Sequence, residues 1–153
     1  MGMSCLNKAL ALLTRYNYSE YKLTKKLQEK EYDPEEIRQT IKKLKEFDYL
    51  NDVRTCRLKI KILAHRRVGE KLIFYRLKEE FSFLDADFIR QTLEEEHVDT
   101  TEILHTWLGK EKEKLARSKK NYSDYQIKNK LIAKAMQKGH SYEDIVAFFS
   151  FGP

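Results

Sequence analysis

Two stretches of this chain concentrate cations at spacings that suit an anionic partner. Between Arg54 and Arg76 stand eight basic residues and one acid, Glu70; between Lys110 and Lys138 stand ten basic residues and three acids. Ammonium and guanidinium groups in such rows bind phosphate or carboxylate oxygens, each contact modest and the row effective by summation. The candidate contact residues fall in order along the chain. Arg54, Arg57 and Lys61 project from one expected helix, Arg66 and Arg67 lie in the turn after it, and Lys71 and Arg76 follow on the next. Lys119 and Lys120 occupy a later turn, before a helix that carries Lys128, Lys130, Lys134 and Lys138. Arg66-Arg67 and Lys119-Lys120 hold the same relative place in two repeats, so the two rows can form one stripe, with Lys25, Lys26 and Lys30 extending it. Taken one at a time, each lysine is also what any solvated helix face carries.

No other residue set converges on chemistry. There is no Gly-rich phosphate loop and no His-Glu-x-x-His pattern. His65, His97, His105 and His140 are scattered, and Glu94-Glu95-Glu96 reads as a solvated face. Trp107 reads first as a core anchor, with an exposed interface aromatic as the alternative. Cys5 and Cys56 are far apart without metal-type spacing and are expected as reduced thiols. No catalytic residue, metal or cofactor is expected. No apolar run approaches the ~18 residues of a membrane span, and the N-terminus lacks a charged-then-apolar secretion pattern. A cytoplasmic protein, monomeric and without membrane partners, is expected.

The elements that must position these cations are helices. Five Gly and two Pro in 153 residues, with abundant Lys, Glu and Leu, favour helix throughout. Nine Tyr, eight Phe and one Trp are enough to fill several small cores. The net charge of +6 is uneven: residues 1–52 and 53–101 each carry ten basic and nine acidic side chains, whereas 102–153 carry ten and six.

Apolar spacing and capping residues set out nine helices. Ser4 caps a first helix over about 4–16, striped by Leu6, Ala9, Leu10 and Leu13. Ser19 caps a second, with Leu23 and Leu27 inward. Asp33 caps a third with Pro34 at its first position, Ile37, Ile41 and Leu44 inward, and Phe47, Tyr49 and Leu50 closing the unit. Asp52 caps a fourth, with Val53, Cys56, Ile60, Leu63 and Ala64 on one face. A fifth follows Gly69 with Leu72, Ile73, Leu77 and Phe81. Asp85 caps a sixth around Phe88, Ile89 and Leu93. Thr100 or Thr101 starts a seventh, reaching Arg117, with Ile103, Trp107, Leu108 and Leu115. Ser123 caps an eighth, about one turn longer than its counterparts, with Ile127, Leu131 and Ala135; Gly139 ends it. Ser141 and Asp144 open a ninth around Ile145, Phe148 and Phe149.

These helices repeat in threes. Asp33-Pro34-Glu35-Glu36-Ile37-Arg38-Gln39-Thr40 answers to Asp85-Ala86-Asp87-Phe88-Ile89-Arg90-Gln91-Thr92, and both to Ser141-Tyr142-Glu143-Asp144-Ile145. A period of roughly 50 residues predicts stacked helical units, here three triplets over 1–51, 52–100 and 101–153 with no Pro/Gly/Ser-rich linker between them.

The residues also resemble a known family. Ala9-Leu10-Ala11-Leu12-Leu13-Thr14-Arg15, Tyr18-Ser19 and Leu23-Thr24-Lys25-Lys26-Leu27 look like the opening of the RecX regulatory proteins. Asp48-Tyr49-Leu50-Asn51-Asp52 resembles their Gly-Tyr-Leu-Asp-Asp junction. Arg66-Arg67-Val68-Gly69 with Ile73 and Leu77 is similar to their second unit. Lys138-Gly139-His140-Ser141-Tyr142 with Ile145 resembles their closing pattern. The likeness covers nearly the whole chain in order. It departs where Glu31 and Phe81 occupy or adjoin positions usually held by Gly, where Thr55-Cys56 replace Phe-Ala, and where Asp48 replaces Gly, all of which bear on local turns. The resemblance implies an all-α fold of three tandem three-helix repeats in an elongated, curved molecule. It implies binding in the groove of the RecA recombinase filament on DNA, which hinders filament growth, ATP hydrolysis, strand exchange and repressor co-cleavage, and so bears on recombination, DNA repair and the SOS response. A stand-alone helical protein binding single- or double-stranded DNA, and a protein scaffold without nucleic acid, are the alternatives.

Overall fold

A computed structural model describes residues 2–151. Among them the chain forms nine α-helices and no strand: α1 (Cys5–Arg15), α2 (Glu20–Glu29), α3 (Pro34–Glu46), α4 (Asp52–His65), α5 (Glu70–Leu77), α6 (Ala86–Glu95), α7 (Thr100–Ala116), α8 (Asp124–Gln137) and α9 (Tyr142–Phe151). Most begin on a side chain that takes up an otherwise unpaired amide. Ser4 accepts from Asn7, Ser19 from Lys22, Asp33 from Glu35, Asp85 from Phe88, Asp99 from Glu102 and Ser123 from Gln126. Ser123 and Gln126 make a reciprocal capping box, and Ser141 Oγ accepts from Asp144 N–H at the start of α9. With 14 residues, α8 outlasts the 10-residue α2 by about a turn, as the sequence predicts, and the 8-residue α5 by more.

The chain falls into two compact units. One holds the residues up to Leu58 together with Leu77–Phe83; the other holds Lys59–Arg76 and the residues from Leu84 onward. In the first, α1, α2 and α3 pack pairwise over a core of Cys5, Ala9, Leu23, Leu27, Ile37, Ile41, Leu44 and Leu50. In the second, α7, α8 and α9 pack in the same manner over Leu104, Trp107, Leu108, Ile127, Leu131, Ala135 and Ile145. Trp107 is therefore a core anchor. Neither cysteine forms a disulfide, and both thiols are buried. Burial pushes the Cys5 thiol above its ordinary pKa, a shift that the Thr40 hydroxyl opposes and the charge of Glu36 reinforces.

Several expected core positions are corrected. Phe47 and Tyr49 do not close the first triplet: they are 70% and 61% exposed, and Leu50 alone turns inward. Val53, in the first turn of α4, is also exposed. Phe88 and Ile103 are half-buried, and Leu104 takes the inward place on α7.

Asp52 is corrected as well. The α4 cap is Asn51, whose Oδ1 accepts from Arg54 N–H at 3.0 Å while its carbonyl accepts from Thr55 N–H. Starting the helix one residue early frees the Asp52 carboxylate to reach α2, where Oδ1 accepts from Glu20 N–H at 2.8 Å. The first turn of α2 is thus satisfied by Ser19 from its own strand of sequence and by Asp52 from 32 residues away. Desolvation raises the Asp52 pKa, with the Glu20 amide pulling against it.

Helix ends repeat one device. Glu31, Asp48, Arg67, His97 and Gly139 take left-handed φ values of 65°, 58°, 70°, 56° and 90°. Each donates its N–H to the carbonyl three residues back, and the next residue donates to the carbonyl five back, as in Asp48→Lys45 and Tyr49→Leu44 or His97→Glu94 and Val98→Leu93. This is the Schellman arrangement, normally built on glycine. Four of the five turns keep it with a side chain present, so the departures from glycine at Glu31 and Asp48 leave the turn geometry intact. A β-carbon in this region costs roughly 1 kcal/mol. Asp48 is the best supported, since Arg54 grips it with Nη1 to Oδ2 at 2.9 Å and Nη2 to the carbonyl oxygen at 3.0 Å. Glu31→Gly and His97→Gly are each expected to raise stability by about 0.5 kcal/mol or more, or about 2 °C in Tm, whereas Asp48→Gly, which forfeits the Arg54 fork, gains nothing; thermal denaturation followed by circular dichroism distinguishes them.

Candidate anionic-partner interface

The basic candidates fall into three structural situations. Some are engaged locally. Arg54 spends its fork on Asp48, Lys61 Nζ lies 3.3 Å from Glu96 Oε2, and Arg57 is half-buried on α4. Arg54 and Lys61 hold a turn and a helix end, and each would have to exchange a carboxylate for a phosphate to bind one. Others, namely Arg66, Arg67, Lys71, Arg76, Lys119 and Lys120, are exposed at the turns α4–α5 and α7–α8 or along α5. The remainder lie on α8, and the structure divides them. Lys130 Nζ stands 4.7 Å from the Tyr122 ring centre, Lys134 and Lys138 stand 5.7 Å and 6.0 Å from that of Trp107, and Lys134 also pairs with Glu111 at 2.8 Å. Lys128 lies on the opposite edge, 5.5 Å from the Phe149 ring centre. The period of α8 explains the split, because Ile127, Leu131 and Ala135 form the inward stripe and the lysines flank it on both sides.

In the second unit, backbone contacts bring one part of this set together. The α4–α5 turn packs directly on the α8–α9 turn. Gly69 N–H donates to the Lys138 carbonyl at 2.7 Å, and His140 Nε2 lies 2.8 Å from the Arg67 carbonyl oxygen. A carbonyl can only accept, so Nε2 carries the proton. The approach is close enough that a β-carbon on Gly69 would overlap the Gly139 carbonyl and reach 2.5 Å from His140 N, and one on Gly139 would strike Leu72. Gly69 is thus required by the Gly139 backbone 70 residues away, and Gly139 by Leu72 at the start of α5. The clasp sets the Arg66-Arg67 turn beside the basic end of α8. A cleft of about 480 Å³ next to it is lined by Lys71, Arg90, Glu70, His140, Glu143 and Asp144, a mixed-charge wall.

His140 is 8% exposed. Desolvation pushes its pKa below the ordinary 6.5; the Arg67 carbonyl, Asp144 and Glu70 oppose the shift and Lys138 adds to it. The sequence reading treats this histidine as one of four scattered ones. What marks it is its place directly after a helix-ending glycine, where the side chain at that point of the Schellman turn folds inward.

The first unit presents a different surface. Leu6, Leu10, Lys43, Leu44, Phe47 and Tyr49 line an apolar hollow of about 260 Å³. Among the described residues, no group of three or more His, Cys, Asp or Glu side chains is placed to hold a metal ion, and no helix is long and apolar enough to cross a membrane.

Capped helix triplets joined by Schellman turns, with cations at their turns and along α8, define a tandem three-helix repeat protein. Family comparisons say which one. The model of the first three-helix domain of RecX matches residues 5–44 and that of the third matches residues 110–149, α1–α3 in the one case and most of α7–α9 in the other. The chain belongs to the RecX family. Regulatory protein RecX of Vibrio cholerae is 35% identical over 77 residues, 50% of this chain and 51% of that protein. The Haemophilus ducreyi protein of the same name is 33% identical over 100 residues, 65% and 62%, and that of Clostridium perfringens is 26% identical over 142 residues, 92% and 65%. The chain therefore spans about half the length of the Vibrio relative it matches. The crystal structure of RecX from Lactobacillus salivarius shares the fold with a TM-score of 0.75 at 20% identity, over 95% of this chain and 92% of that one.

Two outcomes follow from the clasp. Gly69→Ala is expected to destabilise the second unit by about 2–4 kcal/mol, since backbone faces backbone and nothing flexible can yield; denaturant titration measures it, and a loss under about 0.5 kcal/mol would contradict the contact. The neutral imidazole is the native form, so the unfolded chain binds the proton more readily. Stability should be full above pH 6.5 and fall as pH drops from there through the lower folded value. His140→Gln, which can still donate to the Arg67 carbonyl, should flatten that part of the profile.

Proposed function

We propose that this protein is a non-enzymatic regulator of a RecA-type recombinase, binding the groove of the recombinase–DNA filament and restraining filament extension, ATP hydrolysis, strand exchange and co-protease activity. Recombination, DNA repair and the SOS response are the processes it would modulate, in the cytoplasm and as a single chain. The observation that carries the reading is that the first and third helix triplets each match a RecX domain. In this reading the chain divides into tandem triplets near residues 51 and 100, where α4 and α7 begin.

The cations supply a mechanism. The exposed Arg66, Arg67, Lys71, Arg76, Lys119 and Lys120, with Lys128, Lys130 and Lys134, meet DNA phosphates or acidic protein surface. Arg54, Arg57 and Lys61 join by exchanging their present partners. Summed contacts of this kind weaken steeply with salt. The apolar hollow with Phe47 and Tyr49 at its rim supports a protein-contacting role for the first triplet, because exposed aromatics beside aliphatic side chains are what protein interfaces bury.

The test is recombinase ATPase and strand exchange on single-stranded DNA with this protein added at substoichiometric and equimolar amounts. Inhibition that weakens with salt is expected, and the Arg66→Ala/Arg67→Ala pair should lower filament affinity by about tenfold. No effect at equimolar protein would sink the regulatory reading, while salt-insensitive binding that the double variant leaves unchanged would sink the role of the basic turns. Tight, sequence-selective binding to bare duplex would favour a stand-alone DNA-binding protein instead.

A further inference from the structure

On α8, Tyr125 has no inward role. Its ring is 75% exposed, the highest value among the large apolar and aromatic side chains of the described residues, and it makes no hydrogen bond or ring contact there. The inward stripe of the helix belongs to Ile127, Leu131 and Ala135. Other aromatics near this helix are taken. Tyr122 lies under Lys130, Trp107 faces Lys134 and Lys138, and Phe149 stacks edge-on against Phe148 with Lys128 above it.

The surroundings of Tyr125 are cationic. Lys128 lies one turn further along on the same side of the helix, since residues three apart share a face. Before α8, Arg117, Lys119 and Lys120 are all exposed, and from Arg117 to Lys130 the chain holds five basic residues and one acid, Asp124. The short α8–α9 connection runs the two helices back on each other, so the acidic first turn of α9, Glu143 and Asp144, falls at the far end of α8, and the Phe149 end falls beside Lys128. The exposed ring therefore stands at the end of the hairpin opposite Glu143 and Asp144, with Asp124 the one acid between Arg117 and Lys130.

An open aromatic face with flexible cations on the same helix and in the turn before it is an arrangement that holds unpaired nucleotides. The ring stacks on a base regardless of its identity, and the ammonium groups take the flanking phosphates. A duplex offers phosphates to the same lysines and hides its base faces from the ring, so the tyrosine favours single strands. We propose that Tyr125, with Lys119, Lys120 and Lys128, forms a single-stranded nucleic-acid site in which one base stacks on Tyr125 and the lysines bind the adjoining phosphates. The proposal rests on the filament reading for its setting and assigns the contact with the DNA strand to the start of α8.

Fluorescence anisotropy of a labelled oligothymidylate, with the full chain at low salt, tests it. Tyr125→Ala should weaken binding about tenfold and Tyr125→Phe by less than about twofold. Lys119→Ala and Lys120→Ala together should shallow the dependence of log affinity on log salt by about 1.4. Tyr125 is largely exposed and belongs to no core cluster, so these variants should keep the wild-type helical spectrum. Oligothymidylate affinity unchanged in Tyr125→Ala, or a wild-type chain that does not bind it, overturns the site. Unchanged oligothymidylate binding combined with weaker recombinase inhibition also overturns it, placing Tyr125 on a protein contact. Failure of the regulatory reading is separate: recombinase ATPase would then be indifferent to the wild-type protein even while it binds the oligonucleotide.

Discussion

The second unit depends on one close approach, the backbone of the α4–α5 turn lying on the backbone of the α8–α9 turn. A 2.7 Å bond from Gly69 N–H to the Lys138 carbonyl and a 2.8 Å bond from His140 to the Arg67 carbonyl satisfy polar groups that packing has removed from water. The approach leaves no room for a side chain at Gly69, which would meet the Gly139 carbonyl, or at Gly139, which would meet Leu72. The chemistry of the candidate interface follows from this contact. Arg66 and Arg67 stand beside the end of α8 because their turn is held there by its backbone, which leaves both side chains outside.

Turns of this protein carry more of its specification than its helices do. The Schellman geometry recurs after α2, α3, α4, α6 and α8, and in four of those places it is imposed on residues that resist it. At Arg67 the following residue, Val68, is buried and its inward packing offsets the backbone cost, whereas at Asp48 the following Tyr49 is exposed and Arg54 supplies the support instead. Cations near these ends serve the fold before they serve a partner. Arg54, in the first turn of α4, shows the point: its guanidinium donates to the Asp48 carbonyl just past the end of α3.

Much of this was legible in the residues. Cap residues followed by apolar positions three and four apart placed the starts of all nine helices within a residue or two, although the fifth was read on to Phe81 and ends at Leu77, and Leu23, Leu27, Ile60, Ile73, Leu131 and Ile145 read correctly as core. Misreadings came where local pattern competes with a partner distant in sequence. Asp52 looks like a cap for the helix it precedes, and only the position of α2 shows it serving Glu20. Phe47 and Tyr49 look like core by type, yet the helices they adjoin are filled by Leu44 and Leu50. Lys128 and Lys130 are two residues apart in sequence and fall on opposite edges of α8, a consequence of the helical period that a count of charges in a window passes over. His140 could not be separated from the other histidines without the turn it meets 73 residues earlier.

The borrowed cap on α2 has a consequence for how the chain comes into being. Glu20 N–H finds its acceptor only when Asp52 has been made, so a nascent first triplet that already has α1, α2 and α3 still lacks one of the bonds at the start of α2. The same holds for a fragment cut after Asn51, just before α4 begins. Asp52 is at once the first residue of one helix and the lock on another, and an excised first triplet keeps its lock only if the cut leaves that residue attached.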